Sequence, residues 1–336
     1  MNENRVTTIP ETMSGILLAE PGVHFRLQQA QLSTPKPTAQ QVLVKVEYTG
    51  LGSLDEKFAQ QGTPCWQYPR VFGFDAVGTV VDAPKGMHPE VGTRVMWHND
   101  ISTPGVMSEY AAVANYALAV VPEHVDPIVA ACLPTPGMTA LIALLKLQLD
   151  EGDSVFIEAG HTCTGQLAIQ FAKQQGLMVF SNCPQGHQEL LKELGADAVF
   201  SEQDENLADL IQRQYGYDGV QGVIDSSGQH TNELLSLLQF CGRISCISGL
   251  SQLDDALLFK KAPNIGVVSL PGAWLAKSIC AQQRMSFLGN ILMENLQQER
   301  LRLPKHELIA FESDEIARAL KQRQHLPGTF QSIKVA

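Results

Sequence analysis

At 336 residues the chain is long enough for two domains with a sizeable core in each. Its 44% hydrophobic and 18% charged residues match an ordinary soluble protein, and no apolar run is long enough to span a bilayer. A net charge of −11 argues against nucleic acid or an anionic membrane as a partner, because both are met by basic patches. The N-terminal MNENRVTTIPETM lacks the continuous apolar core of a signal peptide. The seven cysteines (Cys65, Cys132, Cys163, Cys183, Cys241, Cys246, Cys280) are odd in number and never spaced as CxxC. Reduced thiols and a cytoplasmic location are expected.

Residues 13 to 48 alternate strands with polar breaks. MSGILLAE is followed by VHFRLQQA after the Pro21–Gly22 turn, and by VLVKVEYTGL after a loop marked by Pro35 and Pro37. Val42, Val44 and Val46 recur at the two-residue period of a half-buried strand. VFGFDAVGTVVDA and VGTRVMWHND continue the β-rich pattern to about Val121, which reads as a small barrel-like domain. The composition shifts near Pro127. Beyond it helices alternate with strands, the pattern of a parallel α/β sheet: HQELLKELGA, AVF, ENLADLIQRQYG, GVQGVIDSS, TNELLSLLQF, GRISCISG and VVSLPG follow one another. The tail reads as two helices, ILMENLQQE and DEIARALKQ, and a closing strand, FQSIKV.

The most informative stretch is DSVFIEAGHTCTGQLAIQFAKQQGLMVFSNC, Asp153 to Cys183. Val155–Ile157 form an apolar run suited to a doubly buried strand, and Gly160 and Gly165 flank a turn. Leu167, Ala168, Phe171 and Ala172 then recur at helical spacing. Strand, glycine turn and helix N-terminus together make an anion site, as in dinucleotide-binding folds. The middle of the turn holds Thr162 and Cys163 where such a fingerprint has glycine, so a strand–helix unit that binds nothing stands beside the binding reading. A doubly wound sheet carries its ligand at the carboxyl ends of its strands. The segments expected there are Ala159–Gly165, Ser181–Pro184, Ser226–Gly228, Ser248–Leu250 and Pro271–Ala273.

In order and spacing these pieces resemble the medium-chain dehydrogenase/reductase superfamily, in its zinc-independent, quinone-oxidoreductase-like branch. GLGSLDEKFAQQG (50–62) is similar to the family's G-x-N-x-x-D segment, and YPRVFGFDAVGTV (68–80) to its P-x-x-x-G-x-D-x-x-G-x-V signature. VGTRVMW (91–97) resembles V-G-D-R-V, and LPTPGMTAL (133–141) the L-P-x-x-G-x-T-A segment. LGAD (194–197), VIDSSG (223–228) and GRISCISG (242–249) follow in family order. The resemblance implies an α/β protein. A GroES-like β-rich domain (1–126 and 274–336) would flank a Rossmann-type doubly wound parallel-sheet domain (127–273), with the active cleft where they meet. It also implies a homodimer joined through edge strands of the nucleotide domain.

The zinc-dependent branch places a cysteine where this chain has Leu51 or Gly52, and Gly-His-Glu where it has Gly73, Phe74 and Asp75. Catalytic zinc takes about three N, S or O protein ligands, so no metal is expected; His161 and Cys163 are neighbours but not a site. Cofactor contacts are expected from Thr139, Gly160, Thr162, Cys163, Thr164, Gly165, Ser181, Asn182, Ser226, Ser227, Ser248, Gly249 and Gly272. The end of the second strand, Ser181 to Pro184, carries no carboxylate. This favours NADP(H) and leaves NAD(H) open. Metal-free hydride transfer to a quinone or an α,β-unsaturated carbonyl needs a proton donor. Gly52 and Lys57 replace the asparagine and tyrosine that relatives place there. The remaining candidates are Tyr48, Tyr68, Tyr110 and His98, beside Trp66 and Trp97, residue types that also fill half-buried packing sites. The expected substrate is a small apolar carbonyl or quinone. The alternative is a pseudo-enzyme of the same fold that binds nucleotide weakly or not at all and acts as a binding or regulatory protein.

Overall fold

The computed structural model describes residues 8–204, 206–216 and 218–335. Met1–Thr7, which open the N-terminal segment read above, and Glu205, at the start of one predicted helix, lie outside the described residues. In chain order the elements are β1 (Thr12–Glu20), β2 (Arg26–Ser33), β3 (Gln41–Leu51), α1 (Ser53–Gln61), β4 (Arg70–Val71), β5 (Asp75–Asp82), β6 (Arg94–His98), β7 (Tyr110–Ala114) and β8 (Ala119–Val120). There follow α2 (Pro127–Cys132), α3 (Pro134–Leu147), β9 (Ser154–Ile157), α4 (Cys163–Gln174), β10 (Met178–Cys183), α5 (Gln188–Glu193), β11 (Ala198–Ser201), α6 (Leu207–Tyr215), β12 (Val220–Asp225), α7 (Thr231–Leu237) and β13 (Leu238–Cys246). The chain ends with α8 (Asp255–Lys261), β14 (Asn264–Val267), α9 (Leu270–Leu275), α10 (Ile279–Gln297), β15 (Lys305–Ile309), α11 (Ser313–Gln322) and β16 (Thr329–Lys334). Among the described residues no helix is long and apolar enough to cross a membrane.

Two compact units result. The first holds the chain up to Thr135, Leu270–Arg300 and the stretch from Lys305 onward; the second holds Pro136–Ser269 with Leu301–Pro304. In the first unit a seven-stranded sheet runs β15-β16-β3-β5-β6-β8, with β7 also on β3, beside a three-stranded sheet β2-β1-β4. Val42, Val44 and Val46 are fully buried with Val80, Val95 and Trp97, as their alternation predicts. Leu43, on the other face of β3, is buried too, against Met13 and Tyr110, so this strand is covered on both sides there. The closing strand FQSIKV returns to the first unit as β16, antiparallel to β3. Helix α2, expected to open the nucleotide-binding domain, lies instead against β3, β5 and β16 of the first unit.

The second unit is a six-stranded sheet, β11-β10-β9-β12-β13-β14, with every neighbouring pair parallel. Strand order reverses between β9 and β12, the point where such sheets bind ligands. Val155, Phe156 and Ile157 are wholly buried, as a central parallel strand requires. Helix α4 is buried almost all round and not on one face alone. Its Gln166 and Gln170 are inside, where Gln166 Nε2 donates to the His161 carbonyl and Gln170 is bonded to Arg302 through both backbone groups. VVSLPG, expected as one strand, splits: β14 ends at Val267 and Leu270–Leu275 form α9.

Candidate functional site

The turn after β9 is held by its own side chains. Ala159 takes a left-handed backbone (φ 54°), a conformation that non-glycine residues hold only when surroundings fix it. Its N–H donates to Asn182 Oδ1 at 2.8 Å, and the Gly160 N–H donates to the Asn182 carbonyl at 3.0 Å. Thr162 caps α4: its Oγ1 accepts from the Gly165 N–H and donates to the Ala159 carbonyl, both at 3.0 Å. The two surviving glycines serve close packing. A Cβ on Gly160 would lie 2.2 Å from Ser181 Oγ, and one on Gly165 2.6 Å from the Ala159 carbonyl oxygen. Cys163 is buried at the first helical position and Thr164 is half-buried beside it. His161, also buried, packs against His187 with ring centroids 5.3 Å apart. Burial and that neighbour push its pKa down to about 4, so this imidazole brings no positive charge to the turn at neutral pH.

Sequence reasoning missed the residue that ties the strand ends together. Glu158, the last residue before the turn, is only 7% exposed. Its Oε2 accepts from the N–H groups of Ser226 (2.8 Å) and Ser227 (2.9 Å), and its Oε1 from the Ser227 hydroxyl (2.9 Å). Burial raises its pKa, while the Ser227 and Ser226 bonds lower it. Buried Asp225 shapes the same turn, accepting from the Gly228 N–H and the Thr231 hydroxyl, each at 2.7 Å. An acid directly after the apolar run Val155–Ile157 was visible in the sequence; its partners on the neighbouring strand were not. The hydroxyls of Ser226 and Ser248 are spent on the Glu158 and Ser226 carbonyls. Ser181, expected to meet the cofactor, is wholly buried and donates to the Ile157 carbonyl at 2.7 Å, because it points into the sheet. A Cβ placed on Gly249 (φ 127°) would meet nothing within 4 Å, so space is open at that strand end. A cavity of about 910 Å³ opens at the carboxyl ends of β9, β10, β11 and β12, lined by Ala159, Asn182 and Ser227 among others. Thr139 is buried within α3, whereas Gly272 falls in α9 of the first unit.

In the first unit the three tyrosines named as proton-donor candidates do not converge. Tyr110 is in the core beside Met13 and Leu43; Tyr68 stands edge-on to Trp66, its hydroxyl buried without a partner among the described residues; Tyr48 is half-buried on β3, opposite Val77 and Lys334. His98 is different. It is 1% exposed, and its Nδ1 lies 2.9 Å from Asp75 Oδ1. Asp75 also accepts from the Thr135 N–H and hydroxyl, both at 2.8 Å, and Nε2 of His98 is buried without a partner among the described residues. Nearby Asp55 reaches back from α1 to accept the Gly52 N–H at 2.8 Å. Among the described residues no three His, Cys, Asp or Glu side chains group as metal ligands.

Residues 38–123 match the family model described as the alcohol dehydrogenase GroES-like domain, and residues 163–286 the model described as zinc-binding dehydrogenase. A trans-enoyl reductase of Aspergillus terreus is 29% identical over 65% of this chain and 80% of its own length. A quinone oxidoreductase of Pongo abelii is 28% identical over 67% of this chain and 70% of its own. The chain belongs to the medium-chain dehydrogenase/reductase superfamily. As a medium-chain dehydrogenase/reductase it pairs a GroES-like domain with a Rossmann-type parallel-sheet domain. Its fold matches an alcohol dehydrogenase superfamily protein from Novosphingobium aromaticivorans (TM-score 0.87, 24% identity, 96% of this chain and 100% of that one). It also matches a mycobacterial protein solved with NADPH (TM-score 0.81, 22% identity, 96% and 99%). At about 910 Å³ the strand-end cavity falls within the roughly 300–1,000 Å³ of small-molecule pockets.

Proposed function

We propose that this oxidoreductase passes a hydride from a reduced nicotinamide dinucleotide to a quinone or to the β-carbon of an α,β-unsaturated carbonyl. Support comes from the cavity at the carboxyl ends of β9 to β12, set at the reversal of strand order, in a chain similar to quinone oxidoreductases and trans-enoyl reductases. The dinucleotide, when bound, supplies the hydride. The protein's part is to hold it against the strand ends through Asn182 and the α4 N-terminus, and to orient the acceptor. Sequence patterns favoured NADP(H), the cofactor in the mycobacterial neighbour's structure; the charge around this cavity bears on that choice.

A pseudo-enzyme is the second reading, and Thr162 is the observation behind it. Its side chain stands where a glycine would let pyrophosphate approach, and it already occupies the Gly165 N–H. Calorimetric titration of the whole protein with NADH and NADPH separates the two. Tryptophan emission is the weaker probe, because Trp66, Trp97 and Trp274 all lie in the first unit. Micromolar binding of either nucleotide supports the reductase, and the absence of binding at millimolar concentration removes it. In Thr162→Gly the turn is cleared at a cap cost of only a few tenths of a kcal/mol. Nucleotide affinity is expected to rise about tenfold, equivalent to about 1.4 kcal/mol. An unchanged affinity would mean that the turn does not limit binding.

We further propose a homodimer through β14. Among the described residues this edge strand has a partner only on its β13 side, and it exposes Val267 (51%) and Ile265 (36%) beside Phe259 of α8 (91%). An exposed apolar edge of this kind invites pairing with a second copy. Ile265→Lys with Val267→Lys is expected to convert a dimer to a monomer in light scattering; a mass unchanged by the two lysines would place the interface elsewhere.

A further inference from the structure

Resting on the dinucleotide reading above, we infer that this chain selects NADH over NADPH through carboxylates gathered at the strand-end cavity from neighbouring elements. The end of β10, where such folds usually place the discriminating acid, carries none. The fold supplies acids from elsewhere. Glu158 comes from the end of β9, Glu202 and Asp204 from the turn after β11, Asp209 from α6 and Glu233 from α7. Among the described lining residues there is no lysine or arginine, and the single histidine, His230, is 3.2 Å from Glu233.

The adenosine ribose of NADH offers a 2′-hydroxyl, a donor that a carboxylate can accept. NADPH offers there a 2′-phosphate carrying nearly two negative charges, which can only be repelled. Glu158 cannot swing away from such a charge, because two N–H groups and one hydroxyl fix both its oxygens. Glu202 and Asp204 are exposed, so their effect is through solvent and screened by salt. Several carboxylates acting together on a doubly charged group are expected to separate the two affinities by roughly ten- to a hundredfold at low salt.

Calorimetry with NADH and NADPH tests this on the full chain and on the double variant Glu202→Arg with Asp204→Arg; both side chains are exposed, and the change gives up the bond from the Ser201 N–H to Asp204. The expected result is NADH binding at least about tenfold tighter, a gap that narrows as ionic strength rises. In the double variant NADPH is expected to gain at least about tenfold, and more than NADH, which carries the pyrophosphate charge but no 2′-phosphate. Equal or tighter NADPH binding to the unaltered protein would overturn the inference while leaving the reductase reading in place. An NADH preference that the two arginines do not touch would overturn its origin in these carboxylates. Failure of both nucleotides to bind would remove the dinucleotide reading itself.

Discussion

Replacing Asp75 with alanine is expected to lower the melting temperature of the first unit by roughly 6–20 °C. Asp75 is 6% exposed and is the common acceptor for His98 Nδ1, the Thr135 N–H and the Thr135 hydroxyl. Without it the His98 ring and the half-buried Thr135 N–H and hydroxyl lose their shared acceptor, the ring and the hydroxyl keeping the 3.2 Å contact between His98 Nδ1 and the Thr135 hydroxyl. This costs about 3–5 kcal/mol, and each kcal/mol moves a unit of this size by about 2–4 °C. The three tryptophans lie in that unit, so their emission on heating reads it selectively. Asp75→Asn keeps the volume and one acceptor oxygen and is expected to lose less than half as much. If alanine left the transition in place while turnover vanished, the carboxylate would be a chemical group and not the tie between β5, β6 and the start of α3. A loss of stability with turnover retained in the surviving folded fraction is the expected pattern.

Much of the architecture was legible because it is local. Val42, Val44 and Val46 set a two-residue period, Val155–Ile157 a buried run, and the glycine turn between β9 and α4 its own boundaries. Where the pattern misled, a local signal had two meanings. Val267 and Val268 favour a strand, but Pro271 suits the first turn of a helix, and there the chain becomes α9. Helix α10 spans nineteen residues, Ile279–Gln297, although only its last part was predicted. Its buried face includes Gln282 and Gly289, which hide the apolar period; Gln282 is inside because it bonds Tyr116 and the Ala273 carbonyl. The site was less legible, since its chemistry is assembled across strands. Nothing near Asn182 in sequence announces Glu158, Glu202 and Asp204 around the same cavity. Likewise the hydroxyls of Ser181 and Ser226 are polar in sequence yet already committed to backbone carbonyls in the fold.

Asp55→Asn is expected to stabilise the protein at neutral and alkaline pH and to do little in acid. Asp55 is 3% exposed, and burial, reinforced by the charge of Asp75, pushes its pKa from 3.8 up to about 8; the Gly52 N–H and Arg323 only partly oppose this. The folded protein therefore keeps this proton at pH 7, whereas the unfolded chain has lost it. A carboxyl whose folded pKa is raised contributes its full stability below about pH 4, and that contribution is lost as pH rises toward 8. Asparagine cannot ionise, still offers an oxygen to the Gly52 N–H, and removes the dependence. Between pH 5 and pH 8 the stability of Asp55→Asn relative to the unaltered chain should climb by roughly 2–4 kcal/mol, since each pKa unit corresponds to about 1.4 kcal/mol. Urea unfolding followed by tryptophan emission at both pH values measures the difference. Parallel stabilities across that range would mean that Asp55 is ionised in the folded protein, with Arg323 outweighing burial. Adding Asp75→Asn separates the two causes: the pH dependence contributed by Asp55 should shrink by the share owed to its neighbour's charge and keep the share owed to burial.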